Sequence, residues 1–173
     1  MEEIKDLNWL NSLSPQQATE ELRQCCGSKR WAEAVVSRRP YSSIETLLTT
    51  SDEVWWSLHL DDWEEAFQSH PKIGEQKAAA SVSRQSSQWS VKEQAGVSNA
   101  SGDAIDALAT LNQAYEKRFG FIFIICATGK TSTEILSALA DRLENDLLTE
   151  IRIAAAEQGK ITQLRLKKLL SRS

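Results

Sequence analysis

The amino-acid sequence predicts an all-α fold, a compact single-domain bundle of about seven or eight helices over residues 1–173. The 173 residues include only seven Gly and three Pro, which disfavours turn-rich β architectures. Apolar residues recur at helical spacing along most of the chain, and several of these stretches follow a Ser or Thr in a capping motif. A chain of this length that is 41% hydrophobic favours one domain with a substantial core.

Charge and hydropathy exclude several classes of protein. The net charge is −4, from 20 basic and 24 acidic residues, which gives no electrostatic reason to expect nucleic acid or an anionic membrane as partner. No apolar run is long enough for a transmembrane helix, and the acidic N-terminus does not resemble a secretion signal. Three cysteines, two of them adjacent, suit neither a disulfide framework nor a zinc knuckle. We therefore expect a cytoplasmic protein with reduced thiols.

A capping box opens the first well-defined helix, with Ser14 as N-cap, Pro15 at the first helical position and Gln17 closing the box. Apolar residues at helical spacing follow, and Gly27 is a plausible stop. Four further helical segments are expected in this half of the chain: residues 30–37, from Ser42 or Ser43 to Leu48, from Ser51 to Leu60, and 61–67.

The helical pattern breaks at residues 70–74, because Pro71 forbids regular continuation and Gly74 permits a sharp turn. The next stretch, Ala78–Trp89, is small and polar, which predicts a surface loop with the following ordered segment starting at Trp89. The pattern then indicates a helix over Asp103–Lys117, with an apolar face formed by Ile105, Leu108, Leu111 and Tyr115.

The most apolar run is Phe119–Ala127. A lone strand could not satisfy its backbone hydrogen bonds, so we expect a buried, partly extended connector between helices. A second capping box at Thr131 and Glu134 opens a helix through Leu143. A last helical segment runs over residues 146–170, where Gly159 is expected to mark a kink or break.

Two types of cofactor site can be tested directly on the sequence. Gly129-Lys130-Thr131 resembles the end of a phosphate loop, but the glycine required five positions before Gly129 is replaced by Ile124, so a loop-to-helix turn is favoured. No Cys or His pair has metal-ligand spacing, and the adjacent acidic residues of 61–65 point apart on a helix. No metal is expected.

His70 is the strongest candidate for acid/base chemistry. Imidazole exchanges protons nearest neutral pH, and His70 stands at a helix end before Pro71, where it can be held rigidly over a cleft. His59, the other histidine, lies between two leucines of a Trp-rich stretch, and a packing or surface role is favoured there.

Ser90 and Glu93 have the spacing of a capping box, with Ser90 as N-cap. The same geometry would suit an anionic ligand at a helix N-terminus, with Glu93 and Gln94 projecting toward it. Both interpretations can hold. Near the C-terminus, Arg165 stands between two leucines, either snorkelling to water from the edge of an amphipathic helix or gripping a carboxylate in a cleft. Arg152 is its rival.

Four stretches in order together resemble the 2-oxo-4-hydroxy-4-carboxy-5-ureidoimidazoline (OHCU) decarboxylases of the urate-to-allantoin pathway. They cover nearly the whole chain: Trp63-Glu64-Glu65-Ala66-Phe67 running into His70-Pro71-Lys72-Ile73-Gly74, Ser90-Val91-Lys92-Glu93-Gln94, Tyr115–Phe121 followed by Phe123-Ile124-Ile125-Cys126, and Leu164-Arg165-Leu166. Two positions depart from the pattern. Ile122 stands where many relatives have proline, and Ala127-Thr128-Gly129 where relatives often have an arginine, which removes a charge at that edge of the site.

The resemblance implies an all-helical homodimer with one cofactor-free and metal-free site per subunit. The implied substrate is OHCU, which would be decarboxylated to (S)-allantoin and carbon dioxide. A transient contact with 5-hydroxyisourate hydrolase, the source of OHCU, is a further expectation.

On this basis His70 is the expected acid/base, with its approach fixed by Pro71, and Glu93 pairs with the substrate hydroxyl or a ring N–H. The binding roles fall to Ser90 and Gln94 for the ureido and ring amide groups, to Arg165 for a carbonyl or the carboxylate, and to the backbone around Phe123, Ile125 and Cys126 for the flat ring.

Two rival functions remain open. A different small-molecule lyase could use the same scaffold, since a fold does not fix a function. A helical interaction module without chemistry would bind another helix through the Trp-rich surface around Trp55 and Trp56.

Overall fold

The computed structural model describes residues 3–74, 84–98 and 100–171. These residues form ten helices and no strand, which confirms the all-α prediction. Eight helices have nine or more residues and two are shorter, in the order α1 (Leu7–Ser12), α2 (Pro15–Arg23), α3 (Lys29–Ser37), α4 (Ile44–Ser57), α5 (Leu60–Gln68), α6 (Arg84–Glu93), α7 (Ala95–Ser98), α8 (Gly102–Phe119), α9 (Ser132–Arg142) and α10 (Leu147–Leu169).

The chain divides into two compact units, Met1–Ala66 with Gly159–Ser173, and Phe67–Gln158. In the first unit α3 packs against α2 and α4. Its core holds fully buried apolar side chains that include Leu10, Leu22, Trp31 and Leu47. The capping box at Ser14 is confirmed, with the Gln17 side chain closing it. The prediction of a single domain over residues 1–173 stays a prediction.

The Trp-rich part of α4 is divided between core and surface. Trp55 is 2% exposed and Trp56 is 48% exposed. The Trp63 indole donates to the Trp55 carbonyl oxygen at 2.9 Å, and its ring lies edge-on to Trp56. Of the two tryptophans that an interaction module would use, Trp55 is therefore buried inside this unit and Trp56 is exposed.

An aromatic cluster forms the core of the second unit. Tyr115 on α8 contacts Phe119, Phe121 and Phe123 with ring centroids 4.7 to 5.8 Å away, and Phe67 lies 5.5 Å from Phe121. Helix α8 ends at Gly120, whose positive φ of 83° closes the helix with an αL cap.

The connector after α8 is non-helical and largely buried, as the sequence predicts. The second capping box is also confirmed, with the Thr131 side chain accepting from Glu134 N and the Glu134 side chain closing the box. The break predicted at Gly159 is wrong. Helix α10 is continuous from Leu147 to Leu169, because burial of its apolar residues outweighs the weak helix propensity of one glycine.

Candidate active site

His70 lies two residues beyond Gln68, the last residue of α5. Its backbone N–H donates to the Phe67 carbonyl oxygen at 3.2 Å, and its side chain is half-buried. The ring Nε2 lies 2.6 Å from Oε1 of Gln158 on α10, and Gln158 is fully buried. The structure thus gives the imidazole a defined position through a residue that sequence reasoning missed.

The turn after His70 is held by Gln94, which lies between α6 and α7, and by Asn112 on α8. The Gly74 N–H donates to Gln94 Oε1 at 3.1 Å, and Asn112 Nδ2 donates to the Ile73 carbonyl oxygen at 2.9 Å. Gly74 has a φ of 89°, a conformation that glycine adopts without steric cost. Asn112, buried on α8, is a second residue that sequence reasoning did not identify.

A cavity of about 160 Å³ brings three of the predicted binding residues together, namely Pro71, Ser90 and Gln94. Its rim includes Val91 and Ile105, which are 49% and 43% exposed. Ile105, which the sequence pattern places on the apolar face of α8, therefore lines the exposed edge of a cavity.

Ser90 and Glu93 lie in the last part of α6, on its buried face. The predicted capping box at Ser90 is wrong, because α6 already begins at Arg84 and the Ser90 hydroxyl donates to the Ser86 carbonyl oxygen at 3.0 Å. The anion-binding helix N-terminus inferred there is lost with it. The predicted loop is wrong for residues 84–89, which are helical, and residues 78–83 lie outside the described residues.

The connector contains the backbone groups that are expected to contact the flat ring of the substrate. Phe123 and Ile125 are buried, and Cys126 is half-buried. Between them, the Ile124 carbonyl oxygen accepts from Arg142 Nη1 at 2.6 Å. The Arg142 guanidinium also lies 4.4 Å from the centre of the Phe123 ring, within the range of a cation–π contact.

A buried polar network supports that arginine. Glu150 accepts from both Arg142 Nε and the Tyr115 hydroxyl at 2.5 Å, and the Asn145 side-chain amide donates to its second oxygen at 3.1 Å. Burial raises the pKa of Tyr115, and its hydrogen bond to Glu150 raises it further. Tyr115 is therefore a neutral donor to the carboxylate at ordinary pH.

Two carboxylates act on Cys126. Its backbone N–H donates to Glu157 Oε1 at 3.3 Å. Burial raises the pKa of the Cys126 thiol more than hydrogen bonds with Thr128 lower it, and the negative charges of Glu157 and Glu93 add smaller upward effects. Glu93 thus lies within electrostatic reach of the connector, and Cys126 is held as a thiol, which is a poor nucleophile.

Arg165 belongs to the other unit, where its Nη1 donates to the Gln24 carbonyl oxygen at 3.3 Å. It is 3% exposed, so the interpretation as a snorkelling edge residue is wrong. Arg152, its rival, is exposed. Burial raises the pKa of the neighbouring Cys26 thiol to about 12, against the lowering effects of hydrogen bonds with Ser28 and Thr162 and, after them, of the positive charge of Arg165.

Two further features considered in the sequence are His59 and the phosphate-loop-like turn at Gly129. His59 is exposed just before α5. Gly129 adopts a φ of 76° in the turn that leads to the N-cap Thr131. A side chain at Gly96 would lie 2.0 Å from the Lys130 carbonyl oxygen, so α7 packs directly on that turn.

Among the described residues, no group of three or more His, Cys, Asp or Glu side chains is arranged to hold a metal ion.

Within the same residues, no helix combines the length and apolar character needed to cross a bilayer.

Arg142, Glu150, Glu157 and Gln158 were not identified from the sequence. The available signal was weak: Glu150, Glu157 and Gln158 fall among the apolar positions of α10, where a polar side chain must find a buried partner. Helical spacing shows that such residues face the interior, and only the folded structure shows which groups they contact.

Comparison with known proteins extends over most of the chain. The sequence model of a family described as OHCU decarboxylase matches residues 11–167. Over 154 residues the chain is 42% identical to the uric acid degradation bifunctional protein TTL of Arabidopsis thaliana, a match that covers 88% of this chain and 47% of that protein. It therefore spans about half the length of that relative.

Two further matches cover most of the matched protein as well as most of this chain. The chain is 32% identical over 139 residues to 2-oxo-4-hydroxy-4-carboxy-5-ureidoimidazoline decarboxylase of Amia calva, covering 80% of this chain and 79% of that protein. A crystal structure of OHCU decarboxylase in the presence of (S)-allantoin superposes with a TM-score of 0.75 at 38% identity, covering 88% of this chain and 99% of that chain. By sequence along nearly its whole length and by fold, this chain belongs to the OHCU decarboxylase family.

Proposed function

We propose that this protein decarboxylates OHCU to (S)-allantoin and carbon dioxide, as a carboxy-lyase of urate degradation. The observation that carries the proposal is the arrangement around His70. The ring Nε2 lies 2.6 Å from Gln158 Oε1, and the adjoining Pro71 lines one cavity with Ser90 and Gln94. Family membership and the likeness to a decarboxylase crystallised in the presence of (S)-allantoin support the same assignment.

The reaction needs little from the protein beyond orientation and proton transfer. When the carboxylate leaves as carbon dioxide, its electron pair moves into the adjacent C=N system of the substrate ring. The substrate thus supplies its own electron sink, and a proton added to one face completes (S)-allantoin. We therefore propose a reaction without cofactor or metal, in which the protein orients the carboxylate, excludes water and delivers the proton stereospecifically.

His70 is proposed as the principal acid/base. It is half-buried and held on both sides, by its own backbone bond to Phe67 and by the side-chain contact with Gln158. Glu93 is proposed to pair with the substrate hydroxyl or a ring N–H. Its carboxylate is 8% exposed on the inner face of α6, so its charge would act on a bound substrate with little solvent screening.

The binding roles follow from what each group already contacts. Gln94 Oε1 accepts from Gly74 N, which directs its amide nitrogen to act as the donor toward an oxygen of the substrate. The Cys126 N–H and Ile124 carbonyl are engaged by Glu157 and Arg142. We therefore propose that Phe123 and Ile125 supply the backbone groups for the flat ring. Ser90 is proposed for the ureido group.

The test of the reaction is circular dichroism while urate oxidase and 5-hydroxyisourate hydrolase generate OHCU in place. With the protein present, we expect faster appearance of a single allantoin enantiomer. Decay to racemic allantoin at the uncatalysed rate, with the protein shown to be folded, would contradict the proposal. Ligand screening of the cavity would then separate another lyase from a module without chemistry.

Assembly is part of the same proposal. We propose a homodimer with one site per subunit in the cytoplasm, and a transient contact with 5-hydroxyisourate hydrolase. The relative from Arabidopsis is described as bifunctional, and this chain covers 47% of it. Light scattering after size exclusion tests the dimer: a monomer at micromolar concentration would contradict it.

A further inference from the structure

Gln158 occupies a position on α10 where the helical pattern calls for an apolar side chain. Ile151, Ala154 and Ala155 lie on the same face of the helix and are buried, and Gln158 continues their spacing with no exposed surface. Burial of a carboxamide is unfavourable unless its polar atoms are hydrogen-bonded. A glutamine at this position therefore points to a specific partner.

The partner is the proposed acid/base. Gln158 Oε1 lies 2.6 Å from His70 Nε2. An amide oxygen only accepts, so Nε2 carries a hydrogen in this contact, whether the ring is neutral or an imidazolium. The two residues are 88 positions apart, so the folded unit Phe67–Gln158 brings them together.

The neighbouring residue makes an equivalent contact. Glu157 Oε1 accepts from the Cys126 N–H at 3.3 Å. Because consecutive helical residues point about 100° apart, one turn of α10 contacts both the segment after α5 and the connector. Two polar side chains thus fix two parts of the candidate site from one rigid element.

We propose that Gln158 is a positioning residue for His70: its amide oxygen keeps a proton on Nε2 and fixes the ring, so that His70 exchanges its catalytic proton at Nδ1. The role of His70 in this inference rests on the proposed function. During turnover Nδ1 would take up one proton and return it, while the Nε2–H bond to Gln158 persists. A second group that fixes the tautomer and orientation of a histidine is a recurrent feature of acid/base sites.

Three variants separate this role from a general packing role. Gln158→Met keeps the length of the side chain and removes the acceptor. Gln158→Glu keeps an acceptor at the same position. Gln163→Met is the matched control, since Gln163 lies on the same helix and donates to Leu48 O and Asp52.

The kinetic expectation is a loss in kcat. We expect Gln158→Met to lower kcat about 10- to 100-fold, the range seen when partners that orient a functional histidine are removed. KM should stay within about twofold, because the change affects proton transfer more than binding. Gln158→Glu should retain more activity than Gln158→Met, and Gln163→Met should match the wild type within about twofold.

The second expectation concerns which ring nitrogen of His70 carries the proton, and it can be measured without substrate. The chain has two histidines, and His59→Asn assigns their signals. In ¹⁵N-histidine-labelled protein, at a pH where the rings are neutral, we expect His70 to be protonated at Nε2, with slow exchange of that proton. Gln158→Met should lose the slow exchange, and Gln158→Glu should keep it.

Protonation of neutral His70 at Nδ1, or a wild-type kcat together with a slowly exchanging Nε2–H in folded Gln158→Met, would overturn the inference. Failure of the proposed function gives a different result. The wild-type protein would then not turn over OHCU, and the nitrogen spectra alone would decide whether Gln158 positions the ring.

Discussion

Arg142 and Glu150 form a buried ion pair, with 2.5 Å between Arg142 Nη2 and Glu150 Oε1. Glu150 has no exposed surface and Arg142 is 8% exposed. The same guanidinium holds the Ile124 carbonyl oxygen. The pair therefore links α9 and α10 to the connector that contains Phe123 and Ile125. Its loss should lower the free energy of unfolding and disturb the candidate site.

The first prediction concerns this pair. Glu150→Gln leaves a buried guanidinium without its carboxylate, which should lower the free energy of unfolding by about 3–5 kcal/mol. Urea denaturation measures it. The control is Glu53→Gln, which breaks an exposed pair with Arg38 and should cost less than about 1 kcal/mol. Equal losses in the two variants would show that burial of the Arg142 pair is not what matters.

The second prediction concerns the contact between α7 and the turn before α9. Gly96→Ala would place a Cβ 2.0 Å from the Lys130 carbonyl oxygen. Since backbone has to move, we expect a loss of about 1–3 kcal/mol, measured by thermal or urea unfolding. Gly102→Ala meets no atom within 4 Å and lies at the start of α8, so it should be neutral or slightly stabilising. A neutral Gly96→Ala would contradict the close approach.

The third prediction is a loss of stability at alkaline pH. The pKa of Cys26 is raised from 9.0 to about 12 because the thiol is buried. Between these values the unfolded chain has lost the proton and the folded protein keeps it. The free energy of unfolding therefore falls with rising pH, by up to about 1.4 kcal/mol per pH unit for one group.

Urea denaturation from pH 8 to pH 11 should show a steeper fall in the wild type than in Cys26→Ala. Tyr41, whose pKa burial also raises to about 12, titrates in both proteins and cancels in the comparison. Parallel curves would mean that Cys26 ionises at its ordinary pKa in the folded state.

Local signals predicted much of the fold, because helix caps depend on residues close in sequence. The boxes at Ser14 and Thr131 are present as predicted. The same signal failed at Ser90, which lies inside α6 with its hydroxyl bonded to the Ser86 carbonyl. Serine makes such bonds within helices as well as at their ends, so spacing alone could not tell the two apart.

The candidate site was predicted in part. His70 and the residues of α6 could be nominated from sequence and resemblance, and Pro71, Ser90 and Gln94 do line one cavity. The supporting contacts could not be predicted. Gln158 and Glu157 contact groups 88 and 31 residues away, and no local pattern specifies partners at that separation.

The central claim is that His70 carries the decarboxylation, and the rate of (S)-allantoin formation by His70→Asn tests it most directly. Circular dichroism with OHCU generated in place should show a rate about 10²- to 10⁴-fold below wild type, in a variant that remains folded. His59→Asn, which changes the exposed second histidine, should retain the wild-type rate. A His70→Asn rate within about threefold of wild type would contradict the account.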